Sequence, residues 1–113
     1  MSVRPKLSVI VATYEWPAAL DVVLRALFEQ RGEPFEVVVA DDGSGEETAE
    51  VVDRWVSRLE LSHVWLPNDG FRKARLLNRA TLATHGNYLV FLDGDCVPRS
   101  NFADAVQIGR AHV

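Results

Sequence analysis
The chain has 113 residues, about the size of one small domain, with 48% hydrophobic and 25% charged residues. That composition excludes global disorder, and no apolar run approaches the ~20 residues that span a bilayer. A net charge of −4 argues against a nucleic-acid-binding surface. The single cysteine, Cys96, rules out an internal disulfide and fits a reducing, cytoplasmic setting, including the cytosolic face of a membrane. No charged-then-apolar leader precedes the first strand-like run.

Leu7–Thr13 is β-branched and almost continuously apolar, the pattern of a strand buried on both faces. Pro17 suits a first helical turn, and Leu20, Val23, Leu24, Leu27 and Phe28 follow at i, i+3, i+4, i+7 and i+8, predicting an amphipathic helix that ends near Gly32 and Pro34. Phe35–Ala40 reads as a second buried strand. Ser44 and Glu47 have the spacing of a capping box, opening a helix whose stripe is Val51, Val52, Trp55, Val56 and Leu59. Leu61–Leu66 is a shorter strand closed by Pro67. After the Asn68-Asp69-Gly70 turn signal, a helix is predicted over about Arg72–Thr84, ending at Gly86. Tyr88–Leu92 is the most apolar strand, and a further helix is expected after Pro98 and Ser100.

This alternation of strands and helices predicts an α/β, three-layer, Rossmann-like and mostly parallel sheet with helices on both faces. The amphipathic pattern does not continue through Ile108-Gly-Arg-Ala-His-Val. That hexapeptide resembles a translated sequencing adapter, so the expected organisation is a partial domain over residues 1–107 and a non-native read-through tail over 108–113, the alternative being a genuine C-terminus rich in Gly, Ala and His.

In such sheets ligands bind outside the carboxyl ends of the strands. Thr13, Tyr14 and Glu15 follow the first strand, Asp41, Asp42, Gly43 and Ser44 the second, and Asp93, Gly94 and Asp95 the fourth. Two like charges about 4 Å apart repel by roughly 4 kcal/mol at an effective dielectric of 20, so clustered aspartates call for a cation. Carboxylate oxygens suit Mg²⁺ or Mn²⁺. In Asp93-Gly94-Asp95, residues i and i+2 can point the same way, and the glycine would let phosphates approach the backbone. Asp41 and Asp42 have a competing role as turn and helix caps. Arg72, Arg75 and Arg79 recur along the third helix beside Lys73, and a helix N-terminus with guanidinium groups suits a diphosphate. Cys96, beside acidic groups, reads as a small packing residue rather than a nucleophile. His63, His85 and the tryptophans read as structural, Trp16 lying nearest the edge.

Four ordered motifs carry a family resemblance: Val9-Ile-Val-Ala-Thr-Tyr-Glu-Trp-Pro, Val39-Ala-Asp-Asp-Gly-Ser, Gly70-Phe-Arg-Lys-Ala-Arg-Leu-Leu-Asn-Arg-Ala and Tyr88-Leu-Val-Phe-Leu-Asp-Gly-Asp. Together they resemble the N-terminal half of a family 2 glycosyltransferase with the GT-A fold, over Leu7 to about Gln107. The third motif is most similar to that of chondroitin-type and bacterial polysaccharide transferases. The resemblance implies metal-dependent transfer of a sugar from a nucleotide-diphospho-sugar donor, usually a UDP-sugar, with inversion, to a saccharide or lipid-linked acceptor.

Carried over by position, Thr13 and Glu15 would line the nucleoside pocket. Asp42, with Asp41 the second choice, would accept a hydrogen bond from the base. Arg72, Arg75 and Asn78 would border the donor site. Asp93 would lie near ribose and metal, and Asp95 would ligate the metal directly. Glu15 departs from the family pattern, where asparagine is common. The family's general base lies in the second half of its domain, so this chain is expected to hold the donor half of a site and to be inactive alone. Two other readings fit less well. A signalling receiver domain wants an acidic pair where Thr13 and Tyr14 stand, and a sugar-phosphate nucleotidyltransferase wants a glycine-rich basic loop in place of Thr13–Ala19.

Overall fold
A computed structural model of the chain describes residues 7–30, 34–68, 73–99 and 102. The elements are β1 (Leu7–Thr13), α1 (Pro17–Phe28), β2 (Phe35–Asp41), α2 (Glu46–Trp55), β3 (Leu61–Trp65), α3 (Lys73–Leu82) and β4 (Tyr88–Asp93). Phe102 is helical, but the rest of the helix expected after Ser100 lies outside the described residues, as do Arg72 and the tail 108–113.

The strands form one sheet in the order β3-β2-β1-β4, and every neighbouring pair is parallel. The chain starts at β1, builds outward through β2 and β3, then returns to place β4 on the other side of β1. The pleat sends alternate residues to opposite faces. Leu7, Val9, Val11, Val37 and Val39 pack against Leu20, Val23, Leu24 and Leu27 of α1 and Val51, Val52 and Trp55 of α2. On the other face, Ile10, Val38 and Ala40 pack against Leu76 and Ala80 of α3. This is the three-layer α/β arrangement that the alternating pattern predicts.

Two local expectations change. The capping box does not form: Gly45 is the N-cap of α2 and makes no side-chain cap bond, while Ser44 lies one residue outside. Tyr88–Leu92, the most apolar strand by sequence, is an edge strand whose Tyr88 and Phe91 are 47% and 55% exposed.

At the sheet edge opposite the strand carboxyl ends, Glu36 is buried with its hydrogen bonds filled. Ser8 Oγ donates to Glu36 Oε1 (2.7 Å), the His85 N–H donates to the same oxygen, and His85 Nδ1 lies 3.0 Å from Oε2. The Gly86 N–H donates to Ser8 Oγ (2.9 Å), so the turn into β4 is tied to β1 and β2 together. Any Cβ at Gly86 would sit 2.5 Å from Ser8 Oγ, which is why this close approach needs glycine.

Candidate active site at the β1–β4 switch point
The order of connections reverses between β1 and β4, and in open α/β sheets the crevice above such a point receives ligands. Backbone hydrogen bonds close this edge. The Thr13 carbonyl accepts from the Asp42 N–H (3.0 Å), and the Ala12 carbonyl accepts from the Gly94 N–H (2.6 Å), so β1 holds the ends of both neighbours. Two clefts flank the junction. One, of about 150 Å³, lies on the α3 side and is lined by Ala12, Thr13, Tyr14, Asp42, Lys73, Leu76, Leu77 and Asp93. The other, of about 270 Å³, is lined by Ala12, Thr13, Tyr14, Trp16, Asp93, Gly94 and Asp95. Ala12, Thr13, Tyr14 and Asp93 are common to both, so a ligand reaching from one cleft to the other crosses them.

Asp93 to Cys96 form a turn closed by the Cys96 N–H on the Asp93 carbonyl (3.0 Å). The ligand atoms of Asp93, Asp95 and Cys96 lie within 4.8 Å of one another, and all three residues are exposed. The two carboxylates converge because the chain turns there, not because successive pleats align. Gly94 has a packing reason as well: a Cβ would stand 2.7 Å from the Ala12 carbonyl oxygen and 3.2 Å from Thr13 Oγ1. Cys96 is exposed, contrary to the packing role expected of it, because the turn carries its side chain outward beside Asp95. The carboxylate oxygens suit a hard divalent ion, so the residues present fit Mg²⁺ or Mn²⁺.

Adjacent aspartates at the end of β2 have opposite fates. Asp41 is fully buried: its Oδ1 accepts from the Ser44 N–H (2.9 Å) and its Oδ2 lies 2.8 Å from His63 Nε2. Burial pushes its carboxyl up, but the hydrogen bonds from His63 and Ser44 outweigh that and hold it below the usual aspartate value. An ionised carboxylate only accepts, so His63 Nε2 carries the proton. Asp41 is therefore turned inward as the cap of this turn and lines neither cleft. Asp42 faces the smaller cleft, with Asn68 Nδ2 3.4 Å from its Oδ2.

Glu15 is also occupied. Its carboxylate accepts the Gly45 N–H at the start of α2 (2.8 Å). That engagement satisfies the N-cap N–H that Glu47 would take in a capping box, and Glu15 lines neither of the two clefts. Arg75 and Asn78 are exposed on α3 and line neither cleft. Lys73, the first residue of α3, is the cation of that helix that does line one. The sequence places Tyr14 at this edge but gives it no role there, and the structure puts it in both clefts. Sequence reasoning passed over Leu76 and Leu77, whose apolar spacing signals core and not cleft.

Residues 8–107 match the family described as glycosyl transferase family 2. The chain belongs to that family. Among its relatives, validoxylamine A glucosyltransferase from Streptomyces hygroscopicus subsp. limoneus is 35% identical over 109 residues, covering 95% of this chain and 24% of that protein. The structure of Staphylococcus aureus TarS 1-349 in complex with UDP-GlcNAc matches with a TM-score of 0.83 at 29% identity, over 95% of this chain and 32% of that one. The mannosyltransferase PcManGT from Pyrobaculum calidifontis, in complex with GDP-Man and Mn²⁺, matches with a TM-score of 0.74 at 32% identity, over 94% and 32%. The family 2 chain described here thus spans about a quarter to a third of the length of these relatives.

Proposed function
We propose that this chain is the donor-binding half of a metal-dependent, inverting glycosyltransferase that uses a UDP-sugar to build a bacterial-type polysaccharide or glycoconjugate. The observation that carries the reading is the pair of clefts sharing Ala12, Thr13, Tyr14 and Asp93, with Asp42 and Lys73 in one and an acidic turn in the other. Relatives solved with UDP-GlcNAc and with GDP-Man and Mn²⁺ support both halves of it.

In this reading the nucleoside enters the smaller cleft. Asp42 accepts a hydrogen bond from the base, Leu76 and Leu77 cover its apolar edge, and Thr13 and Asp93 border the ribose. Lys73 faces the phosphates and offsets their charge at the start of α3, and Arg72 is assigned to the same donor site from the family motif alone. Asp95 and Asp93 would hold the divalent ion, which when bound stabilises the charge leaving on the diphosphate. Inversion requires a base that deprotonates the acceptor hydroxyl from the side opposite the leaving group. In the described residues the edge carboxylates of Asp41 and Glu15 are taken up by internal hydrogen bonds, and Asp42, Asp93 and Asp95 serve the donor. From the family resemblance, the base and the saccharide or lipid-linked acceptor site are assigned to another part of the whole enzyme, for which we propose a place in the cytoplasm or at the cytosolic membrane face.

Calorimetry with UDP tests this, on a chain first shown to melt cooperatively. Mn²⁺ should strengthen UDP binding, Asp95→Ala should remove that gain, and sugar transfer by residues 1–113 alone should stay at background. Equal UDP affinity with and without Mn²⁺ in the wild-type chain would sink the assignment of Asp95.

A further inference from the structure
Glu15 has φ 47°, the left-handed region, and among the described residues no other non-glycine residue has positive φ. L-residues with a Cβ rarely stay there unless their surroundings fix them, and such residues gather at functional sites. Its neighbours on either side, Tyr14 and Trp16, are 54% and 56% exposed, and both line the cleft that holds Asp93 and Asp95. The backbone of Glu15 therefore sets where two aromatic cleft residues stand.

What fixes Glu15 is a continuous chain of hydrogen bonds running in from β3. His63 Nε2 donates to Asp41, whose other oxygen takes the Ser44 N–H. Trp65 Nε1 donates to the Ser44 carbonyl (2.9 Å). Ser44 Oγ then accepts the Glu15 N–H (2.8 Å), and the Glu15 carboxylate returns to the Gly45 N–H. Ser44 is buried, with its N–H, its carbonyl and its hydroxyl oxygen each engaged on a different element. With its backbone held from both sides, Ser44 offers its Oγ to the Glu15 N–H and so favours the left-handed turn.

We propose that Ser44, held by Asp41, His63 and Trp65, is a positioning residue of the donor site: it locks Glu15 in the left-handed conformation and so presents Tyr14 and Trp16 to a nucleoside diphosphate. The inference rests on the donor-site reading and adds to it a device that touches no ligand. Because the device acts on the loop after β1 and not on the acidic turn, it changes nucleotide affinity without changing the benefit from metal.

The test uses UDP as probe and the whole chain, with amide exchange as an independent readout. Ser44→Ala removes the acceptor for Glu15 and leaves the backbone bonds of residue 44 in place. The Glu15 amide should exchange faster, and UDP affinity should fall about tenfold, the scale of one lost hydrogen bond. The ratio of affinities with and without Mn²⁺ should stay at its wild-type value. Further out, His63→Gln keeps a donor toward Asp41 and should bind UDP like wild type, whereas His63→Leu should reproduce the loss. Unchanged Glu15 exchange in Ser44→Ala, or fast exchange with full UDP affinity, would overturn the proposal. So would a tenfold loss in His63→Gln equal to that in His63→Leu. A wild-type chain with no UDP affinity refutes the donor reading itself, and with it this role for the relay, an outcome distinct from a wild type that binds and variants that do not differ.

Discussion

At the scale of single residues, Gly94 shows how one missing side chain can place two functional ones. Its N–H is bonded to the Ala12 carbonyl at 2.6 Å, and an added Cβ would meet the same oxygen at 2.7 Å. That neighbour is strand backbone and cannot swing aside. Gly94→Ala should therefore push the end of β4 off β1 and spread Asp93 from Asp95, at a cost of about 1–3 kcal/mol, the usual range for overpacking. The measurement is a pair: a melting temperature several degrees lower, and loss of the Mn²⁺ gain in UDP binding. A variant that melts like wild type and keeps the gain would show that the Ala12 contact does not set the turn. The acidic turn itself is legible in the sequence, since Asp-Gly-Asp follows an apolar, strand-like run. The separate fates of Asp41 and Asp42 are not, because they depend on His63 arriving beside β2 from 22 residues away. Likewise the two bonds of Glu15 reach residues 29 and 30 positions away, beyond any local spacing rule.

At the scale of elements, hydrophobic periodicity locates each described strand and helix, because each buries one stripe or both faces against its neighbours. Boundaries are less legible. α1 ends at Phe28, with Glu29 as its C-cap, well before the breakers at Gly32 and Pro34. α2 ends at Trp55, leaving Val56 exposed although it fits the stripe. β4 has the composition of a central strand but the burial of an edge, since composition does not reveal how many neighbours a strand has. The two sheet faces also differ in what they support. α1 buries Leu20, Val23, Leu24 and Leu27 far from the smaller cleft, whereas α3 buries Leu76 and Ala80, and Leu76 also lines that cleft. Leu24→Ala and Leu76→Ala should each cost about 2–5 kcal/mol in urea unfolding, as buried leucine truncations do. Only Leu76→Ala should also weaken UDP binding by the folded protein. Equal UDP affinity in the two variants would mean that α3 does not shape the nucleoside cleft.

At the scale of the whole molecule, β2 carries a buried carboxylate near each end, and the two make the fold sensitive to acid. Glu36 faces the α3 side at one edge, and Asp41 lies at the opposite edge among His63 and Ser44. Burial alone would push both carboxyls up. The bonds from Ser8 and from the backbone and ring of His85 outweigh it at Glu36, as those from His63 and Ser44 do at Asp41, so both are held below their ordinary values. The unfolded chain, with ordinary carboxyls near about 4.3 for Glu and about 3.9 for Asp, then binds protons more readily than the folded one. Stability from these groups is complete above those unfolded values and is lost as pH falls through the folded ones. Glu36 joins β1, β2 and the turn into β4, so its protonation loosens the edge strand that delivers Asp93 and Asp95, although it lies at the far edge of the sheet. Melting temperature should thus hold steady from pH 7 to about 5 and fall steeply below about 4. Glu36→Gln keeps the shape and removes the charge, so it should melt lower than wild type at pH 7 and approach it near pH 3. A wild-type melting temperature that stays level down to pH 3, or a Glu36→Gln curve parallel to wild type throughout, would show that the buried carboxylate of Glu36 does not govern the acid limit of this fold.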